Sequence, residues 1–500
     1  MPEQETIKRL STGIVGLDEV FHGGLLPYRS YLVRGAAGTG KTTLGLHFLT
    51  ADAANDEKSL LITLGTPEAR IRLDAKTFGF DLTSVPIIDL TPAPDFFAKA
   101  KTYDIFSPAD VEREPITRMI TEQIEKQKPR RVFVDTITQF RYLAGDAQQF
   151  HRQVLAFLRY LTDQLGTVLL TSEYSEATPD DDLQFLCDGI INVANTEHGR
   201  TLRVSKYRGS GFQEGRSAMR ITERGILVYP RLLPEAHHND FKQEPIPCGI
   251  AGLDELMQGG MERGTVTLIT GPTGVGKTTL AMQFVKEAAK RGEHSVAYIL
   301  EEPLSTLAKR CESLNVPVGT MIQQDRLSLK QVEPHRYMPE EFAGIVRQEV
   351  EKRKARIVVI DSLTGYRKFL RGDDLLTDMH TLCHYLQNMG VAVFLTNEVQ
   401  QIAGSLQVSE HEISYVAGNI LYLRYMERRN KAGALEIGRC VGVLKKRLSD
   451  FEKTVREFWI SGEGIQSGEP IIGLRGILSS LPLVDEQQER AMKNGGHKER

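Results

Sequence analysis

The sequence is a tandem duplication, and this repeat constrains the possible folds more than any other feature. Residues 12–46 read TGIVGLDEVFHGGLLPYRSYLVRGAAGTGKTTLGL, and residues 248–282 read CGIAGLDELMQGGMERGTVTLITGPTGVGKTTLAM. These segments align without a gap at an offset of 236 positions (248 minus 12). Later matches keep the same order at slightly shorter offsets: VFVDTIT (132–138) with VVIDSLT (358–364), and LLTSE (169–173) with FLTNE (394–398). Self-similarity at a nearly fixed period predicts one structural unit built twice.

Length and local composition divide the chain into two domains and a tail. A chain of 500 residues is too long for one ordinary core and fits two domains of roughly 200–250 residues each. Residues 229–247 are rich in Pro and polar residues and lack apolar periodicity, which is typical of a linker. We therefore predict domains at 1–236 and 237–483, followed by a charged, mobile tail at 484–500.

Composition and charge narrow the class of protein. The chain is 41% hydrophobic and 25% charged, as expected of a soluble globular protein. Its 62 Lys and Arg residues nearly balance 65 Asp and Glu residues, so no overall charge attracts nucleic acid or an anionic membrane. We expect no membrane span and a cytoplasmic location, because the sequence lacks a run of roughly 18 apolar residues and a signal peptide.

The cysteines indicate neither a metal site nor a disulfide framework. They are scattered without a close pair: Cys187, Cys248, Cys311, Cys383 and Cys440. Zinc sites and disulfide frameworks usually show paired cysteine spacings. This distribution fits a reducing compartment.

Short apolar runs alternate with longer amphipathic stretches in each repeat. The runs SYLVRG, SLLITL, RVFVDT and TVLLTS are apolar on both faces, as buried parallel strands are. Helical patterns such as QQFHRQVLAFLRYLTDQLG separate them. The sequence therefore predicts two α/β domains, each with a mostly parallel sheet flanked by helices. Ligands are expected at the carboxyl ends of the strands.

A phosphate-binding loop follows an apolar run in each repeat and precedes a helical pattern. The loops are GAAGTGKT (35–42) and GPTGVGKT (271–278), and this context distinguishes a Walker A motif from a glycine-rich turn with a surface lysine. Lys41 and Lys277 should reach the β- and γ-phosphates of ATP, and the hydroxyls of Thr42 and Thr278 should bind Mg²⁺. The predicted nucleotide-binding residues are Gly35, Gly38, Thr39, Gly40, Lys41, Thr42 and Thr43, and Gly271, Thr273, Gly274, Val275, Gly276, Lys277, Thr278 and Thr279.

An aspartate ends a later apolar run in each repeat. Asp135 and Asp361 match the Walker B arrangement, in which a carboxylate orients the metal or its water. The alternative is a helix N-cap, because Thr136 or Ser362 follows. The upstream loops favour Walker B.

The repeats differ at the place where a general base is expected. Glu301 and Glu302 follow the run HSVAYIL in the second repeat, and the same register gives Gly65 and Thr66 in the first. We expect these two glutamates to be catalytic, orienting or deprotonating the attacking oxygen, with mutual repulsion raising the pKa of one of them. Glu302 is also expected to contact the metal. The alternative is a pair of solvated loop glutamates.

The first domain should therefore bind ATP and hydrolyse it slowly or not at all. Neither Gly65 nor Thr66 can accept a proton from the attacking water. Two nearby glutamates could compensate in part. These are Glu68, just after the missing pair, and Glu173, at the end of another apolar run.

Together these motifs resemble the KaiC circadian-clock ATPase family. The resemblance rests on the GIxGLDExxxGG lead before each loop, the Glu-Glu pair of the second repeat and the closing KTVREFWISGEGI (453–465), and it covers roughly residues 8–475. It implies two RecA-like domains in a hexameric double ring, with ATP held between neighbouring subunits. A Lys and an Arg from one subunit would then approach the next subunit's γ-phosphate. The matching residues are Lys206, Arg208, Lys445 and Arg447, for which solvated hairpin charges are the alternative.

The resemblance also implies autophosphorylation of the second domain. By register, Ser414 matches the first acceptor position, with Glu301 as general base. Tyr415 stands where the family has threonine, and Ser409 matches an upstream hydroxyl position. The stretch EPIIGLRGILSSLP (469–482) resembles the family's regulatory loop, but the unmatched tail after it argues against a KaiA-like activator. A KaiB-like protein is a possible partner of the first domain.

Two other functions remain open from the sequence. One is a nucleic-acid-dependent ATPase of the RecA or RadA type, for which the basic stretch RYMERRNKAG (424–433) is the best support. Against it stand the near-neutral charge and the lack of an aromatic and basic stripe for single strands. The other is a scaffold whose assembly ATP stabilises with little chemistry. The Glu-Glu pair argues against the scaffold for the second domain only.

Overall fold

The computed structural model consists of two compact units, Met1–Arg231 and Leu232–Arg500. It describes residues 7–51, 57–91, 109–143, 146–164, 166–174, 180–399, 416–429, 434–472, 474–475 and 483–484. Among the helices of these residues, none combines the length and apolar character needed to cross a membrane.

The first unit contains a nine-stranded sheet with the order β3-β2-β4-β5-β1-β6-β7-β8-β9. The strands β3 to β6 of this order run parallel, and β6 to β9 form an antiparallel edge. Their bounds are β1 Ser30–Gly35, β2 Ser59–Thr63, β3 Ile87–Asp89, β4 Arg131–Asp135, β5 Thr167–Glu173, β6 Gly189–Thr196, β7 Gly199–Tyr207, β8 Ser217–Thr222 and β9 Gly225–Tyr229.

The second unit repeats this topology. Its main sheet has the order β14-β13-β15-β16-β12-β17-β18-β19-β20, and a short two-stranded sheet, β10-β11, lies apart from it. The bounds are β10 Pro245–Ile246, β11 Met261–Glu262, β12 Val266–Gly271, β13 His294–Ile299, β14 Leu327–Gln331, β15 Ala355–Asp361, β16 Ala392–Glu398, β17 Asn419–Arg429, β18 Leu435–Lys446, β19 Val455–Ser461, β20 Gly464–Pro470, β21 Leu474–Arg475 and β22 Leu483–Val484. The prediction of two mostly parallel α/β domains is confirmed.

Helices cover both faces of each sheet. In the first unit they are α1 Val15–Val20, α2 Lys41–Thr50, α3 Glu68–Thr77, α4 Ala109–Gln127, α5 Phe140–Leu143, α6 Ala147–Asp163 and α7 Asp181–Leu186. In the second they are α8 Ala251–Leu256, α9 Lys277–Lys290, α10 Leu304–Ser313, α11 Val318–Gln323, α12 Pro339–Glu351, α13 Leu363–Phe369 and α14 Leu375–Asn388. Short 3₁₀ helices lie at Ile137–Gln139 and Pro234–Ala236.

Each sheet separates two hydrophobic cores. In β1, Val33 packs into one core of the first unit and Leu32 into the other. This alternation arises because successive side chains of a strand point to opposite faces. The continuous apolar runs of the sequence are therefore strands buried on both faces, as parallel strands between helices are.

The predicted linker region packs against the second unit. Leu232 lies in a core of that unit, and Asn388 Nδ2 donates a hydrogen bond to Pro234 O over 2.9 Å. His237 Nδ1 lies 3.3 Å from the Glu351 carboxylate. Much of residues 232–247 therefore belongs structurally to the second unit.

Candidate nucleotide sites

Both phosphate-binding loops have the backbone geometry of an anion cradle. Helix α2 begins at Lys41 directly after Gly40, and α9 begins at Lys277 directly after Gly276. The φ angles of Gly40 and Gly276 are 102° and 114°, which only glycine adopts without strain. Gly38 and Gly274 share this left-handed conformation, at 74° each. The loops therefore present backbone N–H groups and a helix N-terminus to one point, as phosphate binding requires.

An antiparallel hairpin packs beneath each loop. A Cβ atom added at Gly40 would lie 2.8 Å from Ile221 Cδ1, and one added at Gly276 would lie 2.6 Å from Ile460 Cδ1. An added side chain would have to displace these isoleucine methyl groups, but the positive φ angle is what requires glycine at both positions.

The remaining loop residues are fixed by hydrogen bonds or burial, or they lie at the end of a strand or in the first helical turn. Thr39 Oγ1 donates to Ala36 O over 2.9 Å, and Val275 is fully buried. Thr273 Oγ1 donates to the Glu398 carboxylate. The other predicted positions end a strand or begin a helix: Gly35 ends β1, Gly271 ends β12, Thr43 lies in α2 and Thr279 lies in α9.

The lysines fold back over their own loops. Lys41 Nζ donates to Gly35 O and Ala36 O, both over 2.9 Å, and Lys277 Nζ makes the same bonds to Gly271 O and Pro272 O. Burial lowers the pKa of both lysines, and neighbouring carboxylates oppose this shift. An arriving phosphate would supply the negative charge that each partly buried ammonium group lacks.

Each predicted Walker B aspartate meets the threonine of its own loop. Thr42 Oγ1 donates to Asp135 Oδ2, and Thr278 Oγ1 donates to Asp361 Oδ2, both over 2.8 Å. Each aspartate accepts a second hydrogen bond on its other oxygen, Oδ1. The donor is the Thr171 hydroxyl for Asp135 and the Thr396 hydroxyl for Asp361. In the second unit the N-cap of α13 is Ser362, whose side chain accepts a hydrogen bond from Gly365 N.

The paired hydroxyl and carboxylate fit Mg²⁺, which prefers oxygen ligands and keeps several waters or phosphate oxygens. The described residues contain no group of three or more His, Cys, Asp or Glu side chains able to hold a metal. A metal at Thr42 and Asp135, or at Thr278 and Asp361, would therefore be shared with phosphate oxygens. Bound there, Mg²⁺ would neutralise part of the phosphate charge.

The second site contains a fixed carboxylate that the first site lacks. Ser362 Oγ donates to Glu301 Oε1 over 2.7 Å, and Gly365 N donates to Ser362 Oγ over 3.0 Å. A Cβ atom at Gly365 would lie 3.2 Å from Glu301 Cγ. The hydroxyl thus orients Glu301, and the glycine leaves space for it.

The neighbouring glutamate is held differently. Both Glu302 oxygens accept hydrogen bonds from the Arg310 guanidinium of α10, over 2.6 and 2.9 Å. Bidentate pairs of this kind are among the strongest side-chain hydrogen bonds. The adjacent glutamates therefore have separate partners, and the expected metal contact of Glu302 remains a prediction.

In the first unit, other groups fill the corresponding positions. Thr63 Oγ1 donates to Thr66 O over 2.6 Å, and a Cβ atom at Gly65 would meet nothing closer than 3.9 Å. Four residues after the aspartate stands Gln139, where the second repeat has Gly365. Glu68 is paired with Arg72 over 2.7 Å. The first unit thus has neither a carboxylate at the position of Glu301 nor a glycine at the position of Gly365.

The four basic residues lie away from the loop of their own unit. Lys206 of β7 pairs with Ile190 of β6, and Ile190 pairs in turn with Leu32 of β1. Leu32 lies three residues before Gly35, where the loop begins. In the second unit, Lys445 pairs with Ile420, and Ile420 pairs with Leu268, which lies three residues before Gly271. Strand spacings put each lysine Cα about 14 Å from its own loop.

These basic residues have local partners. Lys206 Nζ donates to Gln184 O and Lys445 Nζ to Ala417 O, both over 2.7 Å. Arg208 lies 3.9 Å from the Asp188 carboxylate, and Arg447 directly follows β18. Burial and the adjacent arginine lower the pKa of each lysine.

The predicted phosphorylation site Ser414 lies outside the described residues, as do Tyr415 and the upstream Ser409. The same is true of most of the predicted tail and of residues 476–482 in the stretch EPIIGLRGILSSLP.

Comparison with known proteins places this double site in a family. The family model "ATPase: KaiC" matches residues 10–232 and again residues 246–470. The chain belongs to the KaiC ATPase family. The circadian clock oscillator protein KaiC of Synechococcus elongatus is 28% identical over 97% of this chain and 95% of its own length. The oscillator protein KaiC 1 of Synechocystis sp. is 27% identical over 97% of this chain and 94% of its own length.

Sequence reasoning missed several contacts in this KaiC-family chain. It treated Ser362 only as part of a possible cap, and it did not single out Arg310, Gly365, Thr171 or Thr396. A hydroxyl residue directly after each Walker B aspartate was the available signal for Ser362. No spacing rule links Glu302 to Arg310 across a strand–helix turn.

Proposed function

We propose that this chain is an ATP-binding and ATP-hydrolysing protein whose second domain carries the main chemistry. The observation that carries this proposal is the hydrogen bond from Ser362 to Glu301, beside Lys277 and Asp361. Glu301 is one of the carboxylates that raise the pKa of Lys277, so its charge acts at the phosphate-binding loop. The first domain would hold ATP and hydrolyse it slowly, because Gly65 and Thr66 offer no base.

In the second domain, Glu301 would accept the proton of the attacking oxygen. With water, the oxygen bonds to the γ-phosphorus, the bond to the β,γ-bridging oxygen breaks, and ADP leaves. With a serine hydroxyl, the same displacement leaves a phosphoserine. Ser414 is the acceptor that we propose, by its match to the family's first acceptor position. Lys277 would balance charge on the phosphates.

Hydrolysis and autophosphorylation are tested together by comparing the full-length protein with Glu301→Gln. We expect phosphate release and phosphate on residues 405–420 to fall together, with ATP binding kept. Glu197→Gln is the control, because that side chain is 86% exposed. Turnover without phosphate on residues 405–420 would support ATP hydrolysis and contradict autophosphorylation. Unchanged turnover in Glu301→Gln would overturn the base assignment.

We further propose a ring in which Lys206, Arg208, Lys445 and Arg447 serve the neighbouring subunit's nucleotide. The placement of Lys206 and Lys445 about 14 Å from their own loops supports action in trans, and the names of the relatives suggest a timing or signalling role. Native mass spectrometry with ATP would test the expected hexamer.

Mixing two inactive variants tests the contribution in trans. Glu301→Gln lacks the base, and Arg447→Ala lacks the proposed arginine finger. An equimolar mixture should regain about a quarter of wild-type turnover. In a head-to-tail ring with random order, about one interface in four joins a subunit with intact Glu301 to a neighbour with intact Arg447. A mixture that stays inactive would place Arg447 in the site of its own chain.

A further inference from the structure

A carboxylate stands between the two phosphate-binding motifs of the first unit. The order β4-β5-β1 puts β5 between the strand that ends at Asp135 and the strand that leads into the loop. Glu173 is the last residue of β5 and is in register with Gly35, the last residue of β1. Parallel strands end at the same edge of a sheet, so Glu173 lies beside the loop, where phosphates bind.

Backbone contacts fix the position of Glu173. Its N–H donates to Thr138 Oγ1 over 3.0 Å, and the next N–H, from Tyr174, donates to Gly35 O over 3.3 Å. The carboxylate raises the pKa of Lys41, and it is the larger of two such influences, ahead of Asp135. The negative charge of Glu173 therefore acts on Lys41, the lysine that would bind the β- and γ-phosphates.

Among the described residues, the Glu173 carboxylate has no side-chain hydrogen-bond partner, whereas its counterpart in the second unit has one. There Glu398 ends β16, in register with Gly271, and accepts a hydrogen bond from Thr273 of the loop. The first loop has Ala37 in place of Thr273, so the hydroxyl that holds Glu398 has no counterpart beside Glu173. The Asp135 carboxylate, by contrast, accepts from both Thr42 and Thr171.

We propose that Glu173 is the general base of the first site and carries its slow ATP hydrolysis. This inference rests on the proposed nucleotide site of the first domain. Water would bond to the γ-phosphorus and pass its proton to the Glu173 carboxylate. The bond to the β,γ-bridging oxygen would break, giving ADP and phosphate, and the proton would leave to solvent. Glu68, in its pair with Arg72, would take no part.

The test uses the full-length protein in a Glu301→Gln background, where turnover of the second site is removed. Phosphate release at saturating MgATP is measured before and after adding Glu173→Gln, with Glu68→Gln as the matched control. Glu301→Gln with Lys41→Ala gives the baseline without the first site. ATP bound per chain is measured in parallel by filter binding with labelled ATP.

We expect Glu173→Gln to lower the residual turnover about 100-fold, or to the baseline, with ATP binding kept. Glu68→Gln should change it less than about twofold, because a glutamate outside the site does not affect proton transfer. Equal turnover with and without Glu173→Gln would overturn the proposal. A Glu301→Gln protein already at the baseline would also overturn it. Failure of the proposed function itself would appear earlier, as wild-type turnover that Glu301→Gln does not reduce.

Discussion

Ser362 Oγ donates a hydrogen bond of 2.7 Å to Glu301 Oε1, and this contact joins the ends of two neighbouring strands. Glu301 follows β13 and Ser362 follows β15, which pair in parallel. The serine also caps α13 through Gly365 N. One hydroxyl thus orients the proposed base and begins the helix beside it.

Ser362→Ala should lower turnover of the second site about tenfold, because loss of one hydrogen bond of roughly 1.4 kcal/mol to the base corresponds to that factor. ATP affinity should stay unchanged, since the serine does not belong to the loop. The missing cap should cost about 1 kcal/mol of unfolding free energy. Turnover and ATP binding are measured together, with Ser362→Thr as the conservative control. A parallel loss of ATP affinity would argue against a positioning role.

Gly365→Ala should destabilise the second unit by about 1–3 kcal/mol and reduce turnover, because the added methyl group overpacks the site. It would lie 2.8 Å from Leu300 Cβ and 3.2 Å from Glu301 Cγ. Gly65→Ala is the matched control, with no atom closer than 3.9 Å, and should be nearly neutral. Chemical unfolding and phosphate release measure both effects. Equal stability of the two variants would contradict this account.

Arg310→Gln should strengthen metal binding at the second site about two- to fivefold, because it releases Glu302 from a partly exposed ion pair. Lys309→Gln removes the same charge from the neighbouring exposed position and serves as control. The readout is Mn²⁺ affinity by electron paramagnetic resonance with a non-hydrolysable ATP analogue. Identical affinities for the two variants would show that Arg310 does not compete with the metal for Glu302.

His47 should make the stability of the first unit depend on pH. Its Nε2 accepts a hydrogen bond from Ile226 N over 2.7 Å, and burial lowers its pKa from 6.5 to about 4. The unfolded chain therefore takes up a proton at a higher pH than the folded chain does. The full contribution is present above pH 6.5 and is lost as the pH falls toward 4.

The loss should be at most about 3 kcal/mol, at 1.36 kcal/mol per pKa unit. His47→Gln should flatten the pH dependence of unfolding between pH 7 and pH 4, since the second unit has Gln283 at the matching position. His238→Gln, with a side chain 70% exposed, is the control. Thermal unfolding at several pH values gives the comparison, and parallel curves for His47→Gln and wild type would contradict the assignment.

The fold and the family could be predicted because their signals are local and occur twice. Each loop places its glycines, lysine and threonine within eight residues, and each buried strand is a short apolar run. The contrast between Glu301 and Gly65 also required only the gapless register. Long-range partners were harder to predict: no periodicity links Glu302 to Arg310, or His47 to Ile226, which is 179 residues away.

By itself, the sequence determined that the chain is a duplicated α/β ATPase-family protein with one Glu-Glu pair. Only the tertiary structure decided which carboxylates have partners within the described part of the chain and which carboxylate lies beside a phosphate-binding loop. The physical reason is the strand order. In β4-β5-β1, strands distant in the sequence end side by side, so Glu173 meets the loop that begins at Gly35. The two units thus share one topology, and single side chains at the same edge of the sheet distinguish their sites.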